Sequence, residues 1–173
     1  MKDPLTDREK FRAMALNMGA LHAQIFSLDD IVFDPRTLIK CMFGCSDWNK
    51  GHTCPSRPGS LSLSIWRETL SCYRWGLVIH SNQAKLNQDI AYEIERQAFF
   101  VGYYFAFSLS DCKLCTTCAG HSDEPCRFPK KARPAFHSVG IDIFATARGF
   151  NLPIETLEHE DEQQNWYAAV FME

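Results

Sequence analysis

The sequence has no apolar run long enough to cross a bilayer. The longest, residues 98–109, holds 12 residues with Gly102 and Ser108 inside it, where a spanning helix needs about 20. The opening MKDPLTDREK lacks the apolar core of a signal peptide, so the expected location is the cytoplasm and no membrane is expected as a partner. Basic charge is not in excess either: 18 Lys and Arg stand against 21 Asp and Glu, a net charge of −3. Nucleic acid is therefore not an expected partner, because no surplus cations are present to displace phosphate counterions. A Ser-His-Asp set, an H-E-x-x-H run and a phosphate-cradling glycine loop are all missing. So is any internal repeat.

What is present is an ordinary globular composition with an unusual distribution of cysteine. The 173 residues are 46% apolar and 23% charged, which suits a single domain, residues 1–173, able to bury about 70% of its unfolded surface. Eight cysteines fall short of a disulfide scaffold, and a cytoplasmic chain keeps them reduced. Seven of them bunch in two groups: Cys41, Cys45 and Cys54, then Cys112, Cys115, Cys118 and Cys126. Core thiols have no reason to bunch. Cys72 stands apart.

Around these groups the patterning alternates between helix and strand. Thr6 and Glu9 read as a capping box, followed at helical spacing by Phe11, Met14, Ala15, Met18, Leu21 and Ile25. Residues 31–33 suit a short strand stopped by Asp34-Pro35. Leu63, Trp66, Leu70 and Tyr73 suit a helix, and residues 75–80 a buried strand. Ile90, Ala91, Ile94, Ala98 and Val101 mark a further helix that Gly102 ends, and residues 103–109 read as a strand with its aromatics in the core. Pro134 fits the first turn of a helix reaching about Arg148. Residues 155–162 are acidic and solvated, and 166–172 form a buried closing strand. The fold class expected is α/β: one domain, a mixed sheet packed with helices, and two cysteine-rich loops at about 41–59 and 111–133.

The second group has the spacing C-x2-C-x2-C-x7-C. Its first half matches the bacterial ferredoxin run C-x2-C-x2-C-x3-C-P, and its second half is four residues longer. Steps of three let a short loop wrap a polynuclear centre, so a 4Fe-4S cluster is expected, closed by Cys126. Zinc is the alternative, although structural zinc sites pair two separate knuckles and here Cys115 would serve both. His121 reads as an exposed loop residue. Arg127, Lys130, Lys131 and Arg133 follow Cys126; they read as solvated charges, or as an offset to cluster charge or a dock for an acidic redox partner.

The first group is C-x3-C-x8-C followed by proline. It lacks the C-x3-C-x2-C run of radical S-adenosylmethionine enzymes. Three thiolates suit a second 4Fe-4S cluster with one open iron, or zinc completed by His52. Cys72, His52 and Asp47 are the candidates for a fourth ligand. A loop is expected here, since Gly44, Gly51, Pro55, Pro58 and Gly59 crowd the stretch.

Taken together, DIVFDPR, the C-x3-C-x8-CP motif, GYYFAFSLSDCKLCTTCAG and EPCRFPKKARPAFHSVGIDIFATA resemble a family of cysteine-rich "predicted metal-binding" proteins of anaerobic bacteria and archaea. That family carries a domain-of-unknown-function label. The resemblance covers residues 29–153 and implies metal binding by the seven clustered cysteines in an anaerobic setting. Cys72 matches no cysteine of the pattern. Ser56 stands where the family usually has a second proline.

Two function classes follow. One is an iron–sulfur protein with one or two 4Fe-4S clusters, acting in electron transfer or, as a reductase or desulfurising enzyme, using its open iron on a small-molecule substrate or a metal-cofactor partner. The other is a binding or carrier protein without a substrate: an electron carrier with both clusters closed that serves a redox partner protein, or, separately, a zinc-binding structural or interaction module without redox activity.

Overall fold

A computed structural model describes residues 4–159 and 161–173. Helix α1, Pro4–Asn17, buries Phe11 and Ala15 and ends at Gly19, whose φ of 103° is left-handed. The chain then turns directly into strand β1, His22–Ser27, its first bond being Leu21 N–H to the His80 carbonyl at 2.8 Å. The expected helical stripe is therefore too long by two positions. Leu21 is exposed and Ile25 lies on the strand. A spacing of four suits either period once a glycine permits the break.

Three more strands complete one sheet: β2, Trp75–Ser81; β3, Phe107–Ser110; and β4, Trp166–Met172. Their order is β1-β2-β4-β3, and each pairing is antiparallel. The α/β class holds, but the sheet is antiparallel rather than mixed. Strands β2 and β3 do run the same way, joined by helix α4, Ala84–Phe100, as a crossover unit. The C-terminal strand β4 inserts between them and makes both contacts antiparallel.

Both faces of the sheet are covered, which is why β2 is buried at every position. Trp75, Leu77 and Ile79 of β2, with Ala168, Val170 and Met172 of β4, pack on α1 and α4. The alternate residues Val78, Tyr167, Ala169 and Phe171 face the opposite core. That core is closed by helix α3, Leu63–Leu70, and helix α5, Ile143–Gly149.

Several local expectations change. Residues 31–33 contribute one isolated bridge, Phe33 to Ile141. Between them and the first cysteines stands helix α2, Arg36–Gly44, so Cys41 is helical and not in a loop. The helix expected from Pro134 is interrupted: a 3-10 turn at His137–Val139 stops at Gly140, φ 85°, and α5 restarts under an Asp142 cap that accepts from Ala145 N–H. The aromatics of residues 98–109 divide: Tyr103 is fully buried, whereas Phe99, Phe100, Tyr104 and Phe105 are exposed. The acidic stretch is exposed at residues 155–159, 161 and 162, and Glu160 lies outside the described residues.

Glu95, which reads as an ordinary helix charge, is instead paired inside the protein. Its carboxylate accepts from Arg133 Nε at 2.9 Å and from both the amide and hydroxyl of Ser108, at 2.8 and 2.6 Å. Both side chains of the ion pair are only 13% exposed. Arg133 thus ties the end of the second cysteine loop to α4 and β3, and removing either partner leaves a buried charge at a cost of about 3–5 kcal/mol.

One glycine in β2 is dictated by space. A Cβ on Gly76 would stand 2.2 Å from the Phe26 ring and 2.4 Å from the Val170 carbonyl oxygen. A ring can rotate away, but a carbonyl fixed in the ladder cannot. Gly76→Ala should destabilise the fold by about 3 kcal/mol, seen as a fall in the urea midpoint.

Candidate metal centre

Helix α2 starts at Asp34-Pro35. The Asp34 carboxylate accepts from Arg36 N at 2.9 Å and from the Arg36 guanidinium, and this hydrogen bonding holds its pKa down to about 2. Cys41 lies in the second half of the helix and Cys45 caps its end in an extended conformation. The C-x3-C spacing is one helical turn, so it sets both residues on the same side. A string of turns follows: Trp48 N–H bonds the Cys45 carbonyl, Asn49 adopts φ 64°, and Cys54 N–H bonds the Gly51 carbonyl. The Cys54 sulfur lies 2.9 Å from the Ser56 hydroxyl, which also accepts from Asn49 N–H at 2.9 Å. Ser56 therefore braces a thiol.

The second loop leaves the sheet at Ser110, whose N–H bonds the Pro134 carbonyl at 3.0 Å and draws the two ends of the loop together. Lys113 N–H donates to Gln88 Oε1 of α4 at 2.8 Å, anchoring the first cysteine step. A single 3-10 turn, Ala119–Ser122, carries the chain past Cys118 and ends at Asp123, φ 55°.

The two loops touch through backbone. A Cβ on Gly120 would fall 2.1 Å from the Lys50 carbonyl oxygen, so only glycine permits this approach. Three polar contacts flank it: His52 Nε2–H to the Glu124 carbonyl at 2.8 Å, His121 to Asp47 at 3.0 Å, and Arg57 to Asp123 at 3.6 Å. His52, Asp47 and His121 therefore stitch one loop to the other.

The product is one cavity of about 340 Å³, lined by all seven clustered cysteines. Cys45 and Cys112 are exposed, while Cys41, Cys54, Cys115, Cys118 and Cys126 are half-buried. Cys72 does not line the cavity; it is exposed after α3, with its sulfur 3.7 Å from the Glu68 carbonyl. Among the described residues, no three His, Cys, Asp or Glu side chains converge as a set for one metal ion. The thiols ring a space.

Burial pushes the Cys41 thiol pKa up, and the nearby Cys45, Cys54 and Asp111 push it further. A bound cation reverses both effects. Asp111 is the site residue that motif spacing overlooks. It sits between β3 and Cys112, lines the same cavity, and is itself raised by burial, against a lowering by His137 and Lys113. The available signal was an acidic residue directly before the cysteine run. Of the four cations after Cys126, only Arg127 lines the cavity; Lys131 lies over the Tyr92 ring and Arg133 is committed to Glu95. Beside Cys41, α2 exposes Ile39, Met42 and Phe43.

The donor set fits thiolate-bound metal: seven sulfurs in a shared, partly desolvated cavity, with hydroxyl and backbone groups close by. The family described as "Predicted metal-binding protein (DUF2284)" matches residues 24–172, and the chain belongs to it. No curated protein and no solved structure matches it. Among the described residues, no helix is long and apolar enough to cross a membrane.

The loop contact is testable through its glycine. Gly120→Ala should separate the two loops and lower the urea midpoint by about 1–3 kcal/mol. Gly44→Ala, where nothing lies within 4 Å of the added carbon, should leave stability unchanged or slightly raised.

Proposed function

We propose that this predicted metal-binding protein is an iron–sulfur protein. In this reading Cys112, Cys115, Cys118 and Cys126 hold a closed 4Fe-4S cluster. Cys41, Cys45 and Cys54 hold a second, site-differentiated one. The observation that carries it is the single cavity lined by all seven thiols. The ferredoxin-like first half of the second motif supports iron and sulfide over zinc. When bound, the two centres supply one-electron transfer at the four-thiolate position and an exchangeable coordination position at the three-thiolate one.

The protein's own residues have separate roles in this arrangement. Ser56 donates its hydroxyl hydrogen to the Cys54 thiolate, lowering its charge density. Arg127 offsets part of the negative charge of seven thiolates. Gln88 and the Glu95–Arg133 pair hold the second loop at both ends, and the His52 and His121 contacts keep the two groups in register. Exposed Cys45 and Cys112 leave the site reachable from solvent, which supports a small-molecule substrate. The apolar flank of Ile39, Met42 and Phe43 supports a protein redox partner at the same edge.

Protein purified without oxygen should be brown, with iron and acid-labile sulfide in similar amounts and broad thiolate-to-iron absorbance. A colourless protein with stoichiometric zinc and no sulfide would falsify this reading. Cys115→Ser should cost about half of the iron and loosen its loop, because metal binding there is coupled to folding. Cys72→Ser should retain all of it.

A further inference from the structure

A second cavity, about 400 Å³ in volume, adjoins the thiol cavity and shares Asp111 and Trp166 with it. It opens where the second core reaches the surface, between α5 and the segment leading into β4. Phe136, Phe144, Trp166 and Tyr167 line it together with Ile143 and Ile154. Its polar groups are Asp111, His137, Glu155, Gln164 and Asn165. A concave space of this size, largely apolar with a few polar groups, suits a small organic molecule.

The walls are fixed from behind. The Tyr167 hydroxyl donates to the Pro153 carbonyl, which holds the segment after Pro153 against β4. Asn165 Oδ1 lies 2.9 Å from Nε2 of His80, a β2 side chain only 2% exposed. An amide oxygen only accepts, so His80 carries its proton on Nε2 and accepts at Nδ1 from His22 Nδ1–H, 2.9 Å away. With its oxygen engaged, Asn165 keeps its amide nitrogen as a donor. A cavity organised before binding spares its ligand the cost of ordering the walls.

The lining also restricts the ligand's chemistry. Aromatic walls favour a flat ring, which finds partners for its face and its edge. Two carboxylates, Asp111 and Glu155, line the cavity, and among the described residues no lysine or arginine does. Lys113 and Arg148 pack on the Trp166 and Phe144 rings, at 5.4 and 5.7 Å, and line no part of it. An anionic ligand there is desolvated against like charge, whereas N–H groups satisfy carboxylate oxygens. We propose that this cavity binds a planar, nitrogen-bearing ring compound, neutral or cationic, whose N–H groups are met by Asp111 and Glu155. Across the shared wall of Asp111 and Trp166, such a ring lies beside the thiol cavity. Its service as the substrate of the metal centre rests on the iron–sulfur reading; its binding does not.

Three probes of one shape and different charge test the class: benzamidine, a cation; benzamide, neutral; and benzoate, an anion. Each is titrated by calorimetry into the full chain, purified without oxygen, with iron and sulfide assayed on the same sample. Benzamidine and benzamide should bind about tenfold tighter than benzoate. Glu155→Gln should cut the preference for benzamidine over benzamide by about threefold. Thr156→Trp, which fills the cavity from its lining, should weaken both by about tenfold. Both positions are exposed and outside every helix and strand, so circular dichroism should be unchanged. A wild type that binds none of the probes, or binds benzoate as tightly as benzamidine, overturns the proposal, as does binding that Thr156→Trp leaves intact. Iron-free protein that shows the expected selectivity removes the iron–sulfur reading and supports the ligand class. Iron- and sulfide-loaded protein without that selectivity does the reverse.

Discussion

The insertion of β4 between β2 and β3 is the constraint on which the rest of the structure depends. The strand pairs along its length with β2 and from Ala168 to Phe171 with β3, and its residues from Tyr167 to Met172 are buried. Each large apolar side chain so enclosed contributes about 1.5–3 kcal/mol. With β4 in place, β3 becomes an edge strand whose end opens beside Trp166, and Asp111 and Cys112 emerge there. The metal-site candidate is therefore positioned by the last strand of the chain, although none of its thiols is on that strand.

Loops of this length do not hold a shape by themselves; they need closure at both ends. The second loop is closed by the bond from Ser110 to Pro134 and by the buried Glu95–Arg133 pair. The first is closed by α2 on one side and α3 on the other. Between them, the backbone approach of Gly120 to Lys50 is shared by both. It converts two separate thiol groups into the wall of one cavity, so anything bound by one group is adjacent to the other.

Charge follows the same geometry. Seven thiols, Asp47 and Asp111 collect in a small volume with Lys113, Arg127, His52 and His121 as the nearby cationic or proton-donating groups. Burial raises the pKa of both Cys41 and Asp111, and the neighbouring anions raise that of Cys41 further. A cationic guest relieves both, which makes the site poised for metal by the electrostatics of its own walls.

Some of this was legible in the residues alone. The runs of 75–79 and 166–172 carry no charged residue and no polar alternation, as suits a strand covered on both faces; the stripe from Ile90 to Val101 has one period, and it is helical. The seven ligand candidates were legible from their spacing, because covalent tethering forces metal-binding thiols to be near in sequence. Other features were not legible. Residues 41–44 read as the start of the cysteine loop because the glycines and prolines after them masked the end of one short helix, and Ile25 fits a helix or a strand until Gly19 adopts its left-handed turn. That Glu95 is largely buried, that Arg133 is spent on it, and that Asp111 lines one cavity with Cys41 are meetings between segments far apart in the chain. Spacing encodes only what neighbouring residues do to one another; the meeting of the two cysteine groups, and the exclusion of Cys72 from them, was decided by where the sheet and the Gly120 contact bring distant backbone together.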